Sequence, residues 1–158
     1  MRKILLVCTG NICRSPLAAA LMQRALGERG VDGIDVSSAG TGAWDGAPVS
    51  EGAYLVGLEQ GLDLSGHRAR LLTRDVVEQS DLILTMARHH RARVDELGGE
   101  GRVFVLGEYA GRSGDAAEVS DPFGGDLEVY RDTSAELATL VAAAVDRIVT
   151  EAGRGDQR

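Results

Sequence analysis

Apolar residues are spaced along this chain in two alternating ways. Residues 3–7 form a short, mainly aliphatic run, the pattern of a buried strand, and residues 34–38, 81–85 and 102–106 repeat it in shorter or more polar form. Between these runs the apolar residues recur at helical spacing. Across residues 17–29, Leu17, Leu21 and Ala25 share one face, Gln23, Arg24 and Glu28 share the other, and Gly30 closes the segment. Residues 50–60 predict a second helix stopped by Gly61, Thr73 caps a short third, and residues 88–97 predict a fourth. Leu137, Leu140, Val141, Ala144, Val145 and Ile148 repeat at three and four, which marks a long amphipathic C-terminal helix. Strands joined by helices pack as an α/β three-layer open sheet of four strands, mostly parallel, with helices on both faces and right-handed crossovers.

Composition narrows this picture. A chain of 158 residues with 4% aromatics buries its core mainly with aliphatic side chains, and it reads as one domain over residues 1–152 with a frayed tail at 153–158. The formal charge of −7 argues against nucleic acid and against an anionic membrane surface as partners. No segment approaches a transmembrane span, and Arg2-Lys3 is followed by too short an apolar stretch for a secretory signal. Two cysteines, Cys8 and Cys13, make no disulfide framework and suggest a reducing, cytoplasmic setting. No cofactor is implied, and no metal: the pair His89-His90 has no partner cluster and reads as a solvated helix face.

Chemistry concentrates where the first strand gives way to the first helix, in Cys8-Thr9-Gly10-Asn11-Ile12-Cys13-Arg14-Ser15-Pro16. Ser15 then Pro16 reads as an N-cap followed by proline at the first helical position. The backbone N–H groups of such a turn have no intrahelical partners and the helix dipole is positive there, so residues 9–15 (Thr9, Gly10, Asn11, Ile12, Cys13, Arg14 and Ser15) suit a phosphate group. A cation at that end of a helix is misplaced unless an anion occupies the loop, which is the role Arg14 suggests. The same surroundings favour a charged sulfur, so Cys8 reads as a nucleophile beneath the anion, giving a cysteinyl-phosphate. The hydroxyl of Ser15 can donate to that sulfur when it leaves.

Cys-x5-Arg-Ser, here CTGNICRSP close to the N-terminus, resembles the low-molecular-weight protein tyrosine phosphatase family. Further landmarks fall in that family's order: Ser38-Ala39-Gly40-Thr41 with Trp44 beyond, His67-Arg68-Ala69-Arg70, Asp81 to Met86, and Asp121-Pro122-Phe123-Gly124. The resemblance covers nearly the whole chain. It implies strand order 2-1-3-4, which sets the Cys8 loop at the topological switch point where open α/β sheets bind ligands, with residues 107–125 as a long loop crossing above. It also implies a phosphorylated protein as substrate.

Site residues follow by the same resemblance. Asp121 is the candidate general acid beside Cys8 and Arg14, although Asp-Pro-x-Gly is also a turn. Asn11 is expected to hydrogen-bond within the loop from a left-handed backbone, with Ser38 and His67 supporting it. Trp44 and Phe123 are expected as aromatic walls of the cleft, with Ile12 beside the phosphorus where it can pack against the ring. Cys13 reads either as a thiol that traps an oxidised Cys8 in a reversible disulfide or as a small packing residue.

Two features pull the substrate assignment apart. Ile12 matches the phosphotyrosine branch of the family, whereas the phosphoarginine branch carries Thr there. Phe123-Gly124-Gly125 resembles the phosphoarginine members, since tyrosine phosphatases typically show two adjacent tyrosines after Asp-Pro. Ala19 and Ala87 stand where the family commonly has acidic residues. The reading is a phosphotyrosine phosphatase, with protein arginine phosphatase as the alternative. The related arsenate reductases need further cysteines, and a non-catalytic phosphoprotein-binding module needs neither Cys8 nor Asp121.

Overall fold

The computed structural model describes residues 2–156, with side chains described through residue 152. Its centre is β1 (Lys3–Cys8), in which every residue after Lys3 is buried. Burial on both faces splits the strand by its two-residue period. Ile4, Leu6 and Cys8 pack into the larger cluster, with Leu17, Leu21 and Met22 of α1 (Arg14–Glu28) and with Leu137, Leu140, Val141, Ala144 and Ile148 of α6 (Leu127–Asp156). Leu5 and Val7 face the other way. They meet Ile83 of β3 (Leu82–Thr85), Val77 of α3 (Arg74–Glu78), Val94 of α4 (Arg88–Glu96) and Val103 of β4 (Val103–Val105). Each fully buried leucine of β1 contributes about 1.5–3 kcal/mol by leaving water, so the strand that carries the loop is also the best anchored part of the sheet.

The sheet has the order β2-β1-β3-β4, all parallel, with β2 at Asp35–Gly40 and α2 (Glu51–Glu59) in the following crossover. Helices lie on both faces, as the pattern of runs and periodic segments implied. β1 pairs with β2 on one side and β3 on the other, so the chain leaves its carboxyl end at the switch point. Register brings three segments together there: Val7 lies opposite both Ala39 and Thr85, and Cys8 opposite Gly40. The glycine stops behave as expected. Gly30, at φ 67°, ends α1 with Val31 N–H bonded to the Leu26 carbonyl and Gly30 N–H to that of Gly27, a Schellman closure.

Four boundaries depart from the sequence reading. The second strand starts one residue later and ends two residues later, because its ladder with β1 begins at Asp35 and ends at Gly40. α1 begins at Arg14, and Ser15 does not cap it: Cys13 holds the N-cap position without a side-chain bond, and the Ser15 hydroxyl turns back into the loop. Residues 107–125 are not a plain loop, since α5 (Leu106–Tyr109) and a 3-10 turn (Gly114–Ala117) lie at its start and middle. The close approach of Gly107 to the Ala117 backbone, where a Cβ would stand 2.0 Å from the Ala117 carbonyl oxygen, pins them together. The last helix runs through Asp156, past the expected frayed start at 153, and residues 157–158 lie outside the described residues.

Candidate active site

Cys8 ends β1 with its sulfur on the α1 side, buried beneath the loop that follows. Its Sγ lies 2.9 Å from Ser15 Oγ and accepts from the Asn11 N–H at 3.3 Å. Asn11 makes the loop close. It takes a left-handed backbone (φ 57°), which asparagine tolerates better than most residues, and it is fully buried. Its Nδ2 donates to Ser15 Oγ and to Ser38 Oγ, both at 2.8 Å, and its Oδ1 accepts from the Arg70 N–H at 2.9 Å. The Asn11 carbonyl accepts from His67 Nε2 at 2.6 Å. Because Ser15 Oγ already accepts from Asn11, its own proton is free to point at the Cys8 sulfur.

Arg14, in the first turn of α1, is buried and threads under the 107–125 segment. Nη1 donates to the Val119 carbonyl at 2.9 Å, and Nη2 stands 3.6 Å from Asp121 Oδ2. Its Nε is buried without a protein partner, a cost of roughly 1–3 kcal/mol that an anion seated in the loop would relieve. Asp121 is half exposed, with Oδ1 accepting from the Phe123 N–H at 3.0 Å, so it is at once the turn residue of its tetrapeptide and a carboxylate facing the arginine.

A cavity of about 190 Å³ opens over the sulfur, lined by Cys8, Thr9, Gly10, Ile12, Cys13, Arg14, Asp121 and Phe123. The structure therefore brings together the loop, the arginine, the carboxylate, the Ile12 side chain and one aromatic wall. Trp44 is not part of it. The turn that carries Trp44 is tied down through the Gly42 N–H to the Thr9 carbonyl and the Gly46 N–H to the Ala69 carbonyl, and the indole is 84% exposed beyond the cavity lining. Phe123, 66% exposed, forms a rim wall by itself.

Cys13 lines the same cavity. Its Sγ lies 3.1 Å from Ser50 Oγ and 3.5 Å from the Tyr130 hydroxyl, and burial pushes the thiol above its ordinary range. Burial likewise pushes Tyr130 up to about 12, which keeps it a neutral partner. Both cysteines are free thiols.

Sequence reasoning misplaced one histidine and missed two other contributors. His89 is exposed, but His90 is fully buried, with Nδ1 accepting from the Ala87 N–H at 3.1 Å and Nε2 2.9 Å from Thr9 Oγ1. It is not a solvated face, because α4 starts directly beside the loop once Val7 and Thr85 are in register. Gly40 is required where β2 passes the loop: a Cβ there would stand 2.3 Å from the Thr9 carbonyl oxygen and 2.9 Å from the Asn11 nitrogen. Arg70 closes the far side through its backbone N–H to Asn11 and its Nε to the Ser38 carbonyl. A glycine after Ser-Ala was visible in the chain, but nothing local tied His90 to residue 9.

A cysteine beneath a phosphate-sized loop at the switch point of a parallel sheet, with a buried arginine beside it, defines the class as that of the cysteine-dependent phosphatases. The profile described as low molecular weight phosphotyrosine protein phosphatase matches residues 3–153. The chain is 36% identical to a protein-arginine-phosphatase of Geobacillus stearothermophilus, over 94% of this chain and 97% of the relative. It is 38% identical to a probable low molecular weight protein-tyrosine-phosphatase of Ralstonia solanacearum, again over 94% and 97%. Among solved structures it resembles a YwlE arginine phosphatase in which a cysteine-to-serine mutant carries a phosphorylated active-site serine, with TM-score 0.86, 32% identity and coverage of 92% and 95%. The chain belongs to the low molecular weight phosphotyrosine protein phosphatase family.

Proposed function

We propose that this protein hydrolyses phosphotyrosine in phosphorylated proteins through a phosphocysteine on Cys8. The observation that carries the reading is the Cys8 sulfur held by two donors, Asn11 N–H and Ser15, beside an arginine whose Nε has no protein partner. In the first step the S–P bond forms as the P–O bond to the phenol breaks, with the loop amides and Arg14 taking the charge on the equatorial oxygens. Asp121 gives its proton to the departing phenolate. In the second step Asp121 takes a proton from water, the water oxygen bonds to phosphorus, and the S–P bond breaks to release inorganic phosphate and the thiolate, steadied by the Ser15 hydroxyl. The phosphorylated serine in the related cysteine-to-serine mutant supports attack from this position.

Ile12 and Phe123 give the cavity apolar walls, which suit a phenyl ring and offer no acceptor to a guanidinium. The competing reading is a protein arginine phosphatase. It is favoured by Phe123-Gly124-Gly125 and by relatives of that name. Measuring kcat/KM on matched phosphotyrosine and phosphoarginine peptides decides between them: we expect the tyrosine peptide to lead, and a preference for phosphoarginine overturns the assignment.

No helix among the described residues is long and apolar enough to cross a membrane. We assign the protein to a reducing, cytoplasmic setting on its two free thiols. There Cys13 acts as the trap for an oxidised Cys8. Thiol should then restore the peroxide-treated native enzyme but not Cys13→Ala, and equal recovery of the two excludes that role.

A further inference from the structure

His90 is a fully buried ionisable side chain beside the cavity that the proposed reaction leaves idle. It sits in the first turn of α4, fully enclosed, and hydrogen-bonds the loop at Thr9. Its tautomer follows from its neighbours. The Ala87 N–H can only donate, so the Nδ1 it approaches at 3.1 Å must be the bare nitrogen and the ring proton resides on Nε2. Nε2–H therefore donates to Thr9 Oγ1 at 2.9 Å. Burial, His89 and Arg14 all oppose a second proton and push the ring down to about 3, so the arrangement persists at working pH. With one lone pair of Thr9 Oγ1 taken from behind and no acceptor available at Nε2, the hydroxyl proton of Thr9 is turned away from α4. Thr9 lines the cavity beside Cys8.

We propose that His90 is a positioning residue that turns the Thr9 hydroxyl into the cavity, where it donates a hydrogen bond to the phosphoryl group of the substrate. The inference rests on the phosphatase reading of the same cavity. It adds a side-chain donor to a cradle otherwise made of backbone amides and Arg14, and it explains why a histidine is buried next to a cation: an imidazole on α4 reaches the loop with a donor and brings no charge of its own. A lysine or arginine there would repel Arg14, and a carboxylate would compete for it.

The test uses inorganic phosphate as probe, with titration calorimetry for its affinity and p-nitrophenyl phosphate for turnover. Thr9→Val and His90→Ala are each expected to weaken phosphate binding and raise KM about tenfold or more, the range for one hydrogen bond to a charged group, with kcat changed less than about twofold. Thr9→Ser keeps a hydroxyl and should bind as the native protein does. His90→Gln carries an amide donor toward Thr9 and should recover most of the loss. In the double variant Thr9→Val with His90→Ala, the second change should cost nothing further, because His90 acts only through that hydroxyl. Losses that multiply in the double variant, or Thr9→Val and Thr9→Ser binding phosphate alike, overturn the proposal. The comparison of Thr9→Val with Thr9→Ser holds even if His90→Ala fails to fold. If native protein turns over no phosphate ester while phosphate binding still follows the Thr9 hydroxyl, the phosphatase reading fails and the positioning role stands.

Discussion

The loop at residues 8–15 and the turn at residues 121–125 face each other across one cavity, yet they are built in opposite ways. In the first, buried side chains bond one another: Asn11 spans Ser15, Ser38 and the Arg70 backbone, and Ser15 reaches the sulfur. In the second, Asp121 and Phe123 are at least half exposed, and the tie to Arg14 is a 3.6 Å contact between a buried and an open group. Under the proposed mechanism, the loop that holds the doubly charged group is cross-braced by buried hydrogen bonds, whereas the carboxylate that protonates the leaving atom is half exposed and held by its own turn. Preorganised donors stabilise developing charge without rearrangement, and an acid that serves substrates of different size gains from a looser mount.

Removing the nucleophile should break the comparison most severely. Cys8→Ser is expected to lower turnover by about 10⁴-fold or more while phosphate still binds, because the amides and Arg14 remain. Mass spectrometry should find either phosphocysteine in quenched native enzyme or a stalled phosphoserine in the variant, and near-native hydrolysis by the variant excludes the covalent route.

On the looser side, Asp121→Asn should slow hydrolysis by roughly 10²–10⁴ for substrates with poor leaving groups and much less for p-nitrophenyl phosphate. Equal losses across leaving groups would remove Asp121 from acid catalysis. The same change should leave phosphate affinity nearly intact, since the rigid side of the cavity does not depend on it.

Asn11→Ala probes the rigid side without touching the reacting atoms. It strands the Ser38 hydroxyl and the Arg70 N–H and puts alanine at φ 57°, so a stability loss on the order of 3 kcal/mol is expected by denaturant melts. Activity should fall about tenfold to a hundredfold, with kcat falling as Ser15 loses its orientation. A variant as stable and as active as the native protein would show that the loop is held by its backbone alone.

Ile12→Thr should act on substrate preference and not on the fold, a shift of roughly one to two decades in the ratio of phosphoarginine to phosphotyrosine hydrolysis, because a hydroxyl then meets the guanidinium where only apolar surface stood. An unchanged ratio would move the substrate decision from the rigid loop to Phe123-Gly124 on the opposite wall.

The legible part of this site is the contiguous part. Strand, loop and helix from Lys3 to Glu28 could be read because eight consecutive residues place a cysteine, a run of amides and an arginine around one point, and no other segment is needed to bring them there. The strand order came from resemblance, and the sheet then carried it out. Ser15 was readable as a hydroxyl near the sulfur but not as a residue that leaves its helix uncapped, since a side chain with two local partners is decided by which is buried with it.

By itself, then, the sequence determined the placement of residues 8–15 where β1 gives way to α1, the alternation of strands and helices, and the glycine stops at Gly30 and Gly61, all of which depend on interactions within a few residues. The tertiary structure alone decided that Trp44 stands outside the cavity, that Asp121 meets Arg14, and that His90 reaches Thr9 from 81 positions away. Those pairings follow from the register of β1 with β3 and from how the 107–125 segment packs over Arg14. Such contacts are selected by the burial of whole faces, and no local pattern of residues encodes them.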